Sequence, residues 1–180
     1  GDEVITVPGS FVASTSCIAL VGALPVFVDV RGDYNIDPSL IEAAITERTK
    51  VILLVHLTGR PADMDPIMEV ANAHGIKVIE DVSHAHGGLY KGKLVGTMGH
   101  VAAMSVMSFK ALATGEGGML VTADDRLATL ARSCQQRGRD LEAAGELYVR
   151  EGRNVRMAEL AAVLGRVQLG HLDEYLHERR

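Results

Sequence analysis

The chain has 180 residues, 47% of them hydrophobic and 23% charged, an ordinary balance for a globular domain that excludes a disordered or fibrous class. Its formal net charge of -5 comes from acidic and basic residues mixed along the chain, so there is no basic stripe of the kind that binds nucleic acid. The longest nearly continuous apolar stretch, Cys17 to Val28, is interrupted by Gly22 and Pro25 and falls short of the roughly 20 residues a bilayer span needs.

In chain order, β-branched runs at Glu3 to Val7, Pro25 to Val30, Lys50 to Val55 and Lys77 to Glu80 read as strands, with helical segments between most of them. That alternation predicts βαβ units and a mostly parallel sheet covered on both faces, a three-layer α/β/α architecture. Asp37-Pro38 and Asp65-Pro66 each place a capping carboxylate before a proline suited to the first helical position, and Gly75 marks the end of the second helix. Two further strands are predicted at Val101 to Val106 and Met119 to Thr122. A segment with Ser108, Lys110 and the glycines Gly115, Gly117 and Gly118 joins them. A short helix follows Asp124, Gly138 to Arg153 reads as a loop, and Met157, Leu160, Ala161, Leu164, Val167 and Leu172 predict one long amphipathic helix running to the last residues. With a strand beginning at once after Gly1-Asp2, both ends read as cut, and a piece of a longer chain is expected. Cys17 and Cys134 match neither a metal-ligand spacing nor a disulfide framework, so no metal is expected, and the setting reads as reducing and cytoplasmic with small molecules as partners.

In parallel α/β sheets, ligands collect at the carboxyl ends of strands, and His56, Asp81 and His84 fall at or just beyond such ends. For Asp81 the alternative is a turn or cap aspartate. His84 and His86 are open to being ordinary loop histidines. Lys110 lies between the apolar run Val101 to Met107 and Ala111-Leu112-Ala113, where a lysine gains nothing from packing. Desolvation would make it a nucleophile towards carbonyl groups, and a snorkelling surface lysine is the competing reading. The glycines after Thr114 allow a tight turn or a close approach to a ligand. They do not form a dinucleotide or P-loop fingerprint.

The strings Gly1-Asp2-Glu3-Val4-Ile5, Asp29-Val30, Tyr34-Asn35-Ile36-Asp37-Pro38, Ile79-Glu80-Asp81-Val82-Ser83-His84-Ala85-His86-Gly87 and Gly115-Glu116-Gly117-Gly118-Met119 occur in that order. Together with Pro61-Ala62-Asp63-Met64-Asp65 and Asn154-Val155-Arg156-Met157, they make the whole chain resemble the DegT/StrS family of pyridoxal-phosphate (PLP) dependent sugar aminotransferases. The resemblance implies fold type I, the architecture of aspartate aminotransferase. Residues 1–180 would be the central part of the cofactor-binding large domain, without the upstream phosphate-binding turn and the small C-terminal domain.

The family's Schiff-base lysine stands five residues after a serine and five before a Gly-Glu-Gly-Gly run; here those are Ser105, Lys110 and Gly115. Lys110 would hold the cofactor and move a proton during catalysis. Family members that act as sugar dehydratases have histidine there, so a lysine implies transamination. By the same resemblance, Asp81 pairs with the pyridine nitrogen and His84 stands near the ring's phenolic oxygen. Phe11 stacks on the ring, Ser105 donates to the phosphate, and Asn154 reaches the phosphate of a neighbouring subunit in a homodimer with shared sites. Ser108, Phe109 and Gly9 depart from the family's commoner residues. The implied reaction takes an amino group from an amino acid, usually glutamate, to a keto group on a nucleotide-linked sugar or cyclitol. The alternatives are an aminohydroxybenzoate-synthase-like aromatising enzyme and a non-catalytic PLP-binding fragment.

Overall fold

The computed structural model describes residues 1–179. They fall into two compact units, from Gly1 to Ser105 and from Val106 onward. The first unit is a parallel sheet. Its strands are β1 (Glu3–Thr6), β2 (Leu24–Phe27), β3 (Thr49–Val55), β4 (Lys77–Asp81) and, after a short hairpin of β5 (Leu89–Tyr90) and β6 (Lys93–Leu94), β7 (Val101–Ser105). Parallel pairing of β1 with β2 and β3, of β3 with β4, and of β4 with β7 sets the spatial order β2-β1-β3-β4-β7. The chain thus reverses its direction of travel across the sheet between β1 and β3, the kind of switch point beside which ligand crevices open.

Helices cover both faces. On one, Ile5, Ile52, Leu54 and Val78 pack with Ile41 of α2 (Pro38–Ala44) and with Met64, Ile67 and Ala71 of α3 (Met64–Ala73). On the other, Val4, Leu53 and Val55 pack with Ile18 of α1 (Ala13–Leu20). Successive strand residues point to opposite faces, which is why neighbours such as Val4 and Ile5 enter different layers. The central run from Val51 to Val55 is apolar because both of its faces are covered.

Asp37 caps α2 as the sequence predicts, its Oδ1 accepting the Ser39 N–H at 3.0 Å, with Pro38 opening the helix. Asp65 does not cap α3. That helix already begins at Met64, after Asp63, and Pro66 is accommodated because first-turn N–H groups lack helical partners anyway. Asp65 is instead held below the ordinary carboxylate range by its hydrogen bond with the Lys91 ammonium, 2.5 Å away. Gly75 follows the end of α3 at φ +66°.

The second unit holds β8 (Gly118–Val121), α4 (Asp125–Gln135), α5 (Glu159–Gly170) and α6 (Leu172–Glu178). Asp124 caps α4, its Oδ1 accepting the Arg126 and Leu127 amides at 2.8 and 3.1 Å. The stretch from Gly138 to Arg153 is a loop crossed by two isolated bridges, Gln136 with Asn154 and Arg139 with Tyr148. The expected single terminal helix is two: His171 lies between α5 and α6 with φ −108° and ψ 4°. The preceding Gly170 is a weak helix residue, which lowers the cost of the break. The apolar positions of α5 are exposed, with Leu160 at 86% and Val163 at 59%.

Beneath the β4 layer lies a buried carboxylate. Glu80 and His56 are both fully buried; Glu80 Oε2 meets His56 Nε2 at 3.0 Å and the Gly96 amide at 2.7 Å, and Oε1 accepts the Met98 and Gly99 amides at 2.9 and 2.5 Å. The Ala62 amide donates to His56 Nδ1 at 2.9 Å, so Nε2 carries the hydrogen and donates to Glu80. A Cβ on Gly99 would stand 3.0 Å from the Val78 carbonyl oxygen and 3.2 Å from the Glu80 side chain, so the loop approaches this closely only with glycine there.

Burial pushes the Glu80 carboxyl up, but His56 and the Gly99, Gly96 and Met98 amides outweigh it and leave it below its ordinary value of 4.5. A group shifted in that direction stabilises the fold fully above pH 4.5 and loses the contribution as pH falls through the lowered folded-state value. Glu80→Gln is expected to cost about 3 kcal/mol in urea titrations at pH 7. The gap should narrow in acid below that window; an equal gap at both pH values would contradict the assignment.

Candidate active site

Asp81, His84 and Ser105, three of the residues singled out in the sequence, lie at or just beyond the carboxyl ends of the first unit's strands. Asp81 is the last residue of β4, half-buried, on the face that carries α1 because Glu80 beside it occupies the opposite one. Its Oδ1 accepts the Ser83 amide at 2.9 Å, and its backbone carbonyl accepts the His56 amide at 3.0 Å. Cys17, on α1, lies close enough to sense the Asp81 charge. Burial of its thiol is the main cause of a raised pKa, the Ile18 amide and its own pull it down, and Asp81 adds to the rise.

His84 is exposed in the turn that leaves β4. Ser105 ends β7, and its amide donates to Ser83 Oγ at 2.9 Å. Phe11 lies in the connection from β1 to α1, its carbonyl accepting the Ser14 amide at 3.0 Å and its side chain 73% exposed. A fixed carboxylate and a hydroxyl therefore stand on two neighbouring strand ends of one sheet, and an exposed flat ring lies in the connection that follows a third strand. These groups suit, in turn, a protonated ring nitrogen, a phosphate and the face of an aromatic heterocycle, so the residues present fit a pyridoxal phosphate.

In the second unit, Lys110 is half-buried in the connection from Val106 to Gly117, its amide donating to the Met107 carbonyl at 2.9 Å. That connection is closed on itself. The Val106 amide donates to the Gly117 carbonyl at 3.0 Å, the Thr114 amide to the Val106 carbonyl at 2.7 Å, and both the amide and the hydroxyl of Ser108 to the Gly115 carbonyl at 2.9 Å. Gly117 has φ +150°, and a Cβ there would meet Met157, Val106 and Thr114 at 3.0–3.2 Å. The glycine run thus shapes the segment that carries the lysine. Asn154 is exposed on the bridge to Gln136, its Oδ1 accepting Arg156 Nε at 3.2 Å.

His56 departs from the sequence reading. Although it stands just beyond the end of β3, it is fully buried with both ring nitrogens engaged by Glu80 and Ala62. It is a structural histidine. Ser83, in contrast, is not singled out by sequence and yet touches both Asp81 and Ser105. Its signal was the two-residue spacing from Asp81, at which an aspartate side chain takes a backbone amide ahead of it. Among the described residues, no group of acidic, histidine or cysteine side chains is arranged to hold a metal ion, and no helix is long and apolar enough to cross a membrane.

The model of the DegT/DnrJ/EryC1/StrS aminotransferase family matches residues 1–180. A protein named GDP-perosamine synthase from Caulobacter vibrioides is 42% identical over 180 residues, covering 99% of this chain and 48% of that protein. The crystal structure of an aminotransferase from Psychrobacter cryohalolentis superposes with a TM-score of 0.92 at 42% identity, over 97% of this chain and 47% of that one. A Bacillus subtilis structure described as NtdA with bound cofactor PMP superposes with a TM-score of 0.89 at 32% identity, over 96% of this chain and 39% of that one. The chain spans about half the length of the curated relatives it matches.

Diethyl pyrocarbonate, followed by peptide mapping, is expected to modify the exposed His84 and to leave His56 untouched until the protein is unfolded in urea. Modification of His56 in the native state would contradict its burial.

Proposed function

The chain belongs to the DegT/DnrJ/EryC1/StrS aminotransferase family, and from that premise we propose that the full-length protein is a PLP-dependent aminotransferase. It moves an amino group from an amino acid, glutamate being the expected donor, to a keto group on a nucleotide-linked sugar or cyclitol. Residues 1–180 form the central part of its cofactor-binding domain. The nucleotide-sugar acceptor is favoured by the likeness to a protein named GDP-perosamine synthase. A soluble, cytoplasmic homodimer is the expected state.

The observation that carries this reading is Asp81, a carboxylate at the end of a buried parallel strand with one oxygen fixed by the Ser83 amide. When bound, PLP supplies a pyridine ring that draws off the negative charge developing at the amino acid's α-carbon, provided its nitrogen stays protonated. Asp81 would keep that proton in place by offering a negative charge to the nitrogen. Phe11 would stack on the ring, His84 would stand near its phenolic oxygen, and Ser105 would donate its hydroxyl to the phosphate. Lys110 would hold the cofactor through its amine and, with an amino donor bound, would serve as the base that takes up the proton from the α-carbon. Asn154 would reach the phosphate held by the partner subunit, so that two copies would share their sites.

Borohydride reduction of the full-length protein with PLP is expected to fix the cofactor on the peptide containing Lys110. Lys110→Ala should lose the adduct, and its turnover of glutamate with a keto-sugar nucleotide, read as 2-oxoglutarate release, should fall by about a hundredfold to ten-thousandfold or more. An adduct on a different lysine, or a Lys110→Ala variant with normal turnover, would overturn the reading.

A further inference from the structure

Ser83 takes no part in the chemistry above, yet it fastens two of the groups that do. Its amide donates to Asp81 Oδ1 at 2.9 Å, and its hydroxyl oxygen accepts the Ser105 amide at 2.9 Å. The turn that carries it is fixed at its root. The Val82 amide donates to the Ala103 carbonyl at 2.8 Å, and the Val82 side chain is buried. Strands β4 and β7 pair in parallel from Ile79 with Val101 to Asp81 with Ala103. Beyond that pair β4 bends into its turn, and the Ser83 hydroxyl takes the Ser105 amide where a continued ladder would present a backbone carbonyl. The position of Ser105 at the strand end therefore depends on a side chain, and on one whose own amide orients Asp81.

We infer that Ser83 is a positioning residue for phosphate recognition: by holding the Ser105 backbone it sets where the Ser105 hydroxyl stands, from the same turn that aims Asp81. This rests on the reading that Ser105 meets the cofactor's phosphate and Asp81 its ring nitrogen. Ser83→Ala removes only the hydroxyl. The backbone bond to Asp81 survives, so the ring-nitrogen end is unchanged and the phosphate end is loosened. The loss is specific to a ligand that carries a phosphate.

The test compares PLP with pyridoxal, the same ring without phosphate, by equilibrium dialysis against full-length wild type, Ser83→Ala and Ser83→Thr. Ser83→Ala is expected to weaken PLP binding by about threefold to tenfold, the scale of one hydrogen bond, and to leave pyridoxal binding unchanged. Ser83→Thr, which keeps the hydroxyl, should bind PLP as the wild type does. Should alanine unfold the chain, Ser83→Cys gives the same contrast, because a thiol is a weak acceptor. Equal weakening of both ligands, or no change in either, overturns the inference while leaving the aminotransferase reading intact. A wild type that binds neither ligand removes both.

Discussion

Burying a carboxylate is costly unless every lone pair finds a partner, and the first unit is arranged around one such group. Glu80 is fully buried and accepts hydrogen bonds from the His56 ring and from the Gly96, Met98 and Gly99 amides. Those partners come from the end of β3 and from the loop that feeds β7, so one charge fixes three consecutive positions in the sheet order. His56 is in turn held by the Ala62 amide, which extends the constraint to the approach of α3.

The alternation of a strand converts this structural charge into a placement device. With Glu80 locked on the face shared with α2 and α3, Asp81 must emerge on the face of α1, at the carboxyl end of β4, where its charge reaches Cys17. Two adjacent acidic residues thus have opposite fates. One is buried and saturated with donors; the other is half-buried at the end of β4, with one oxygen tied to the Ser83 amide. Ser105 arrives at the same edge because β7 runs parallel to β4, and the loop that carries Phe11 leaves β1 from that edge as well. In the second unit the self-closed connection from Val106 to Gly117 does for Lys110 what the strand does for Asp81, giving a flexible side chain a defined root.

Much of this was legible in the sequence, because β-branched, largely apolar runs such as Val51 to Val55 stand out between helical segments. The strand runs, the Asp37 and Asp124 caps and the end of α3 at Gly75 each follow from local chemistry. What local chemistry does not contain is long-range partnership. The burial of His56 depends on Glu80, 24 residues away, and on the Ala62 amide. The role of Ser83 depends on an amide 22 residues further on. Asp65-Pro66 carries the signature of a helix start, but α3 begins at Met64 and the Asp65 side chain is engaged by Lys91 from the hairpin instead of capping. The terminal periodicity is real, yet it cannot register a break that one glycine and one histidine make between α5 and α6. The family resemblance supplied roles for Phe11, Ser105 and Asn154 that neither periodicity nor composition carries.

The account stands on Asp81 as the group that keeps a pyridine nitrogen protonated. The most direct measurement is the nitrogen-15 NMR shift of ring-labelled PLP bound to the full-length protein, compared between wild type and Asp81→Ala. The wild type should show a protonated ring nitrogen across neutral and mildly alkaline pH, and the variant an unprotonated one. A ring nitrogen that stays protonated in Asp81→Ala, or that is unprotonated in the wild type, would contradict it.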